Sequence, residues 1–386
     1  MQTIRILADD LTGALDSAGC FANTEYVLPV VFDPMHLPKT GSCAVSAESR
    51  DVAENEAFER IGRFGHIFDN QDGIAFKKID SLLRGHVAAE IAHLVRRGGF
   101  QSIVIAPAFP ALDRVTRDGR QWAKLAGDDA LRMVGPDLAK DFARFGIDLQ
   151  PGLPGDGPEN SPQVFLADAQ TDDDLGRIVN SGRQAGRVLW CGSAGLANSL
   201  AGAGSVSSPV AAKRVLVICG TRHPVATLQL ERLGDNDNFA VMALRPGYDA
   251  ERAVAAVNAR LRDDLSAALT ADFPQMDPEA ARVMLGVLAK DMFPKLDRPD
   301  ALFVMGGDTL QICCEALGAH RLSVRGLLAP GIAVSEFSDG DWAGLTVISK
   351  SGAFGTAQTL CDIVAMAGAD HAGSPQIRPR QKVPHH

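Results

Sequence analysis

ADDLTGALD, from Ala8 to Asp16, is the stretch on which the reading of this 386-residue chain turns. Ile4, Ile6 and Leu7 just before it form a short apolar run that reads as a strand. After Gly13, apolar residues fall at Ala14, Leu15, Ala18, Phe21 and Ala22, one face of an amphipathic helix. The segment is therefore strand, polar loop, helix. Asp9, Asp10, Thr12 and Asp16 gather at the strand's carboxyl end, where open α/β sheets bind their ligands.

The same order recurs along the chain. Apolar runs at Ile74 to Ile79, Ser102 to Ala106, Val164 to Ala169 and Val188 to Cys191 each precede a helix-like stretch, which predicts a mostly parallel sheet covered by helices. Residues 201–212, AGAGSVSSPVAA, are small and flexible and read as a linker. Beyond them RVLVICG (Arg214 to Gly220), ALFVMGG (Ala301 to Gly307) and LTVISKSG (Leu345 to Gly352) each end in glycine at a strand exit, and Ala250 to Lys295 reads as helical. The expected fold is two α/β domains with mostly parallel sheets and an active site in the cleft between them. Their expected bounds are 1–200 and 213–369, with a loose tail over 370–386.

Composition narrows the function classes. A net charge of −9 argues against a nucleic-acid partner, which needs a basic face. No apolar run approaches the roughly 18 residues of a membrane span, and no secretory leader pattern opens the chain. Seven cysteines, odd in number and scattered, with no C-x-x-C pair, read as reduced thiols and point to the cytoplasm.

Two further loops carry chemistry. KKIDSLLRG, Lys77 to Gly85, groups Lys78, Asp80, Ser81 and Arg84 at another strand exit. Arg84 has the planar fork that grips a carboxylate, although Asp80 or Ser81 could equally be a helix cap. In the second half, Gly306, Gly307, Asp308 and Thr309, then Lys350, Gly352 and Gly355, follow apolar strands. Glycines there let a backbone approach phosphates, although neither loop matches a P-loop or a dinucleotide fingerprint. GSAG, Gly192 to Gly195, is either an anion-binding helix start or a tight turn. The loop from Ala106 to Gly119, with Arg114, Thr116 and Arg117, is a binding loop or a plain connection.

In order, these segments resemble the four-carbon acid sugar kinase family. The likeness rests on Asp9 to Ala14, Lys78 to Gly85, Arg114 with Thr116 and Gly119, Gly192 with Ser193, GGDT where members usually have GGET, and KSGAFG where they usually have KSGNFG or KSGGFG. Leu82, Asp113, His223 and Ala226 depart from the family pattern. The resemblance implies an amino-terminal sugar-acid domain, a carboxyl-terminal ATP domain, and phosphorylation of a terminal hydroxyl with ATP and Mg2+ as cofactors. Asp80, Ser81 and Arg84 resemble the D-threonate and D-erythronate kinase side of the family more than its 3-oxo-tetronate side.

On that basis the expected substrate-binding residues are Asp9, Asp10, Thr12, Asp16, Lys78, Asp80, Ser81 and Arg84, with Arg84 on the carboxylate and Asp10, Asp80 and Arg84 as the catalytic set. Asp10 is the first candidate for the base. His223, Gly306, Gly307, Asp308, Thr309, Lys350, Gly352 and Gly355 are expected around ATP, metal ligands are not assigned, and domain closure is expected to exclude water. The competing readings are a non-catalytic sugar-acid sensor and an aspartyl-nucleophile phosphatase, whose aspartates would have to be two residues apart. A small-molecule partner is expected, and homo-oligomerisation is left open.

Overall fold

The computed structural model describes residues 2–23, 25–69, 72–125, 130–154, 162–202, 210–245, 247 and 249–368. The linker expectation falls largely on 203–209 and the tail expectation on 369–386, outside the described residues. Among the described residues no helix is long and apolar enough to cross a membrane.

The opening strand, Thr3–Ala8, lies third in an eight-strand parallel array, between Cys43–Ser46 and Gly73–Lys78. Val188–Gly192, Ser102–Ala106, Gln163–Leu166 and Leu149–Pro151 continue it to one edge. These central strands read as unbroken apolar runs because helices cover both faces. The helix Leu11–Phe21 follows the opening strand and begins at Asp10, whose side chain accepts from the Gly13 amide.

The second half holds a parallel set, Phe239–Leu244, Ser266–Ala271, Val215–Cys219, Ala301–Met305 and Thr346–Lys350, finished by the antiparallel strands Ile332–Phe337 and Arg321–Ala329. Arg321–Val324 then pairs antiparallel with Leu28–Val31, so the two halves share one fifteen-stranded sheet. The helix Leu11–Phe21 also packs across this seam. A Cβ on Gly19 would stand 2.4 Å from Leu327, so only glycine lets helix and strand approach so closely.

Two sequence expectations change. The helical interval from Ala250 to Lys295 contains two helices, Ala250–Arg262 and Pro278–Met292, with the strand Ser266–Ala271 between them. SAALTA has little strand propensity, but it is paired on both sides, and that context decides. The loop from Ala106 to Gly119 contains a hairpin, Arg114–Arg117 with Arg120–Ala123. Its turn residues Asp118 and Gly119 both have positive φ, 52° and 68°, the conformation that Asp-Gly turns supply between antiparallel strands.

Candidate active site

The exits of three central strands meet at one cleft. Asp10, Thr12, Asp16, Lys78, Asp80, Ser81 and Arg84 line it, and Ser351, Ala353 and Phe354 close it from the second half. Asp9 lies beneath the cleft floor, 3 % exposed.

Arg50 organises the acidic loop. It comes from the exit of Cys43–Ser46 and donates to both carboxylate oxygens of Asp9, at 2.8 Å each, and to both of Asp10, at 2.5 and 2.8 Å. The Asp9 carbonyl accepts from the Ser49 amide at 2.9 Å, which fixes the two exits against each other. Burial disfavours the Asp9 charge, yet Arg50, Lys77 and Lys78 outweigh it and hold the carboxyl below its ordinary value. Asp10 also accepts from the Thr12 hydroxyl at 2.6 Å. Both aspartates are therefore committed to the scaffold.

Lys77 and Lys78 point to opposite faces of their strand. Lys77 is fully buried and pairs with Glu90 at 2.7 Å, and Ser49 donates to the same carboxylate. Lys78 faces the cleft and gives one hydrogen bond, 2.8 Å, to the Ile79 carbonyl. The next exit binds itself: Asp80 accepts from the Leu82 and Arg84 amides and, at 2.9 and 2.7 Å, from the Arg84 guanidinium. Burial opposes its charge, but Arg84, Arg50 and Lys78 keep it well below the usual carboxylate range, which makes Asp80 a weak proton acceptor.

Two groups are left uncommitted. Arg114 donates to the Ser81 hydroxyl and, among the described residues, has no carboxylate partner; burial pulls its pKa down. Gln121 locks the same corner by donating to the Ser81 carbonyl at 2.8 Å. Asp16 has one carboxylate oxygen shielded from solvent and without a partner. Burial raises its pKa to about 6, against the pull of Lys78, the Gly331 amide and Arg114. A carboxylate of that pKa in a cleft is suited to moving a proton near neutral pH.

Across the cleft, Gly306 has φ 104° at the start of the helix Gly307–Ala316, and its amide donates to the Lys350 carbonyl at 2.9 Å. Thr309 is buried and accepts from the Gly220 amide at 3.2 Å. Gly352 abuts Thr221, where a Cβ would stand 2.6 Å from the hydroxyl. Lys350 is buried and shapes its loop from inside, donating to the Ser351 and Phe354 carbonyls at 3.0 and 3.1 Å; burial lowers its pKa to about 8.

His223 caps the helix Pro224–Gly234, accepting from the Val225 amide. Gly355 has φ 91°, and a Cβ on it would stand 2.5 Å from the Thr359 hydroxyl. Ser193 caps the helix Ala194–Ala201, so the GSAG segment is a helix start. Gly307 faces Thr12, and a Cβ on it would touch the threonine at 3.5 Å, so the glycine loops of the second half meet the acidic loop of the first.

At that junction Asp10, Glu48 and Asp308 feel one another's charge. Burial first, then Asp10 and Asp308, raise Glu48 to about 7, and burial with Asp51 and Asp10 raises Asp308. Arg282, 3.9 Å from Asp308, and Arg50, which holds both oxygens of Asp10, balance part of that negative charge. Sequence reasoning missed Arg50 and Glu48. The signal was the polar run ESRD, Glu48 to Asp51, two residues after the apolar CAV, a pattern like that of the opening loop.

This geometry coincides with what the chain is similar to. Residues 4–144 match the model of a sugar-binding N-terminal domain and residues 216–360 that of a nucleotide-binding C-terminal domain. The chain belongs to the four-carbon acid sugar kinase family. A D-threonate kinase of Cupriavidus necator is 27 % identical over 92 % of this chain and 95 % of its own. A D-erythronate kinase of Heliobacterium modesticaldum is 23 % identical over 94 % and 97 %. In fold, solved structures from Salmonella typhimurium and Haemophilus influenzae superpose with TM-scores of 0.69 and 0.65 at 16 % and 17 % identity; each aligns over 94 % of this chain, and over 99 % and 100 % of its own. The chain is a sugar acid kinase enzyme, and the aspartyl phosphatase reading falls.

Proposed function

We propose that this kinase transfers the γ-phosphoryl group of ATP to the terminal hydroxyl of a four-carbon aldonic acid of the D-threonate or D-erythronate type. The observation that carries this reading is the pairing, in one cleft, of an arginine without a carboxylate partner, Arg114, and a carboxylate oxygen without a donor, Asp16. Arg114 and Lys78 hold the substrate carboxylate, and the Arg84 guanidinium stays with Asp80 and forms the rim. Asp16 accepts the proton of the terminal hydroxyl as its oxygen attacks the γ-phosphorus, and ADP leaves on the opposite side. Asp10 serves instead to orient the loop and the Thr12 hydroxyl.

Gly306, Gly307, Gly352 and Thr309 surround the phosphates, with Asp308 and His223 at the edge, while Gly355 and Lys350 set the shape of their loop. Mg2+, when bound, would neutralise charge on the phosphates. The arrangement needs positioning and charge balance more than covalent chemistry.

The test is ADP release by the purified chain with Mg2+ and ATP over a panel of four-carbon sugar acids. Turnover with an aldonic acid is expected. Turnover with a 3-oxo acid alone would move the substrate to the other side of the family, and thermal stabilisation by a sugar acid without ADP release would select the sensor.

A further inference from the structure

Away from the cleft, three side chains from opposite halves of the molecule converge at the seam of the sheet. Leu28–Val31 leads into a single 3-10 turn, Pro34–His36, capped by Asp33, whose Oδ1 accepts from the Met35 amide at 2.9 Å. That cap leaves Oδ2 pointing outward, where the His36 Nδ1 lies at 3.1 Å and the His320 Nδ1 at 4.0 Å. His320 immediately precedes Arg321–Ala329, the strand whose Arg321 faces Val31 in the ladder joining the halves. The two imidazoles are stacked, centroids 4.5 Å apart and planes within 7°, and both are exposed.

We infer that Asp33, His36 and His320 form a site for a zinc-class transition-metal ion that clips the two halves together across the seam. One donor atom from each side chain lies within 4.8 Å of the other two. Zn2+ takes imidazole nitrogen and carboxylate oxygen at about 2.0–2.2 Å, which places tetrahedral ligands roughly 3.4 Å apart. The two imidazole nitrogens lie 3.1 and 4.0 Å from the Asp33 Oδ2, already near that spacing. The parallel planes set the required movement: in-plane lone pairs of stacked rings run side by side, so one ring turns out of the stack to bind.

The ligand nitrogen gives up its contact with Asp33, and its proton resides on the other ring nitrogen or leaves to solvent. The Met35 amide occupies Oδ1 of Asp33, so Oδ2 is the oxygen that faces the two imidazoles and is placed to ligate. Two imidazoles favour zinc, nickel or copper over magnesium or calcium. Three protein ligands leave a fourth position for water. Asp339 does not fill that position, because it is engaged by Arg321 and by the His320 and Arg321 amides. No element of the phosphate-binding cleft contributes a ligand, so the ion would act on the seam and not on phosphoryl transfer.

The experiment is a calorimetric titration of the full chain with Zn2+, in a background carrying H371A, H385A and H386A to silence histidines near the carboxyl end. One equivalent is expected to bind. H36A and H320A, both surface changes, should each weaken binding by about tenfold or more, and Zn2+ should raise the melting temperature of the background chain but not that of either variant. Imidazole nitrogen resonances should report loss of the stack on binding, and turnover with Mg2+ and ATP should be the same in H320A as in the background chain. Zinc affinity unchanged in H36A/H320A, or absence of one-to-one binding in the background chain, would overturn the site.

Discussion

Replacing Asp16 by asparagine separates what this residue costs the fold from what it contributes to turnover. Burial raises its carboxyl from 3.8 to about 6, equivalent to about 3 kcal/mol against the charged form. The sign follows from the direction of the shift. The folded state binds this proton more tightly than the unfolded state, so the contribution is fully present below about pH 4 and is lost as pH rises through 6. Above pH 6 the native chain carries a disfavoured charge. The asparagine side chain is neutral throughout, and its amide oxygen still accepts from the Gly331 amide.

D16N should therefore match wild type in urea unfolding near pH 4 and exceed it by up to about 3 kcal/mol at pH 8. As an enzyme, it should lose on the order of 10²- to 10⁴-fold in kcat, the usual contribution of a positioned base. The acid limb of kcat/KM, near pH 6 in the wild type, should vanish with it. Coupled ADP release between about pH 5 and 8.5, beside the unfolding series, measures both. A D16N enzyme with wild-type kcat and an unmoved acid limb would refute the base assignment, and a variant less stable at pH 8 would refute the reasoning on burial.

Other substitutions test the scaffold. R114A should raise KM for the sugar acid and lower kcat/KM roughly 10- to 100-fold, the range of charge-assisted hydrogen bonds worth about 1.5–3 kcal/mol, and R114K should not restore it because lysine lacks the planar fork; steady-state kinetics in both substrates decides. K77M leaves Glu90 buried without its cation and should cost about 3–5 kcal/mol in denaturant unfolding, whereas K77M/E90L should recover much of that loss. G352A forces a methyl into Thr221, and its expected effect is a higher KM for ATP with little change in KM for the acid, read from the same kinetics.

Much of the site was legible because strand exits announce themselves: an apolar run followed by clustered polar residues and glycine. Asp10, Asp16, Lys78, Asp80, Ser81 and Arg84 all reach the cleft for that reason. Their roles were less legible. Arg84 reads as a carboxylate clamp, but a residue four positions after an aspartate is also its natural partner, and the pair closes on itself. Lys77 and Lys78 look alike in sequence, and only the strand's alternation sends one into a buried ion pair and the other into the cleft. Arg50 was missed because its strand, Cys43–Ser46, is only four residues long, too short for periodicity to register, which left the polar run after it as the one sign. Ser266–Ala271 was missed because alanine and serine carry no strand preference of their own.

The shared sheet also limits how this enzyme can exclude water during transfer. A rigid hinge between halves would shear the ladder of Arg321–Val324 with Leu28–Val31 and slide Leu327 off Gly19, where the packing leaves no slack. Interdigitated contacts of this kind have few neighbouring arrangements of similar energy. Closure that preserves them has two forms: a twist about the seam, which sheets accommodate readily, or a local movement of the segment from Ser351 to Phe354. That segment already borders the cleft, and it is anchored by Lys350 and by Gln229, whose amide donates to the Phe354 and Thr356 carbonyls at 3.0 and 2.7 Å. Cutting that anchor with Q229L should therefore loosen the segment and lower kcat about tenfold, of the order expected when a closing element mispositions the reactants. The seam itself should keep its amide-exchange protection. Loss of protection along Leu28–Val31 in the same variant would instead tie closure to the whole sheet.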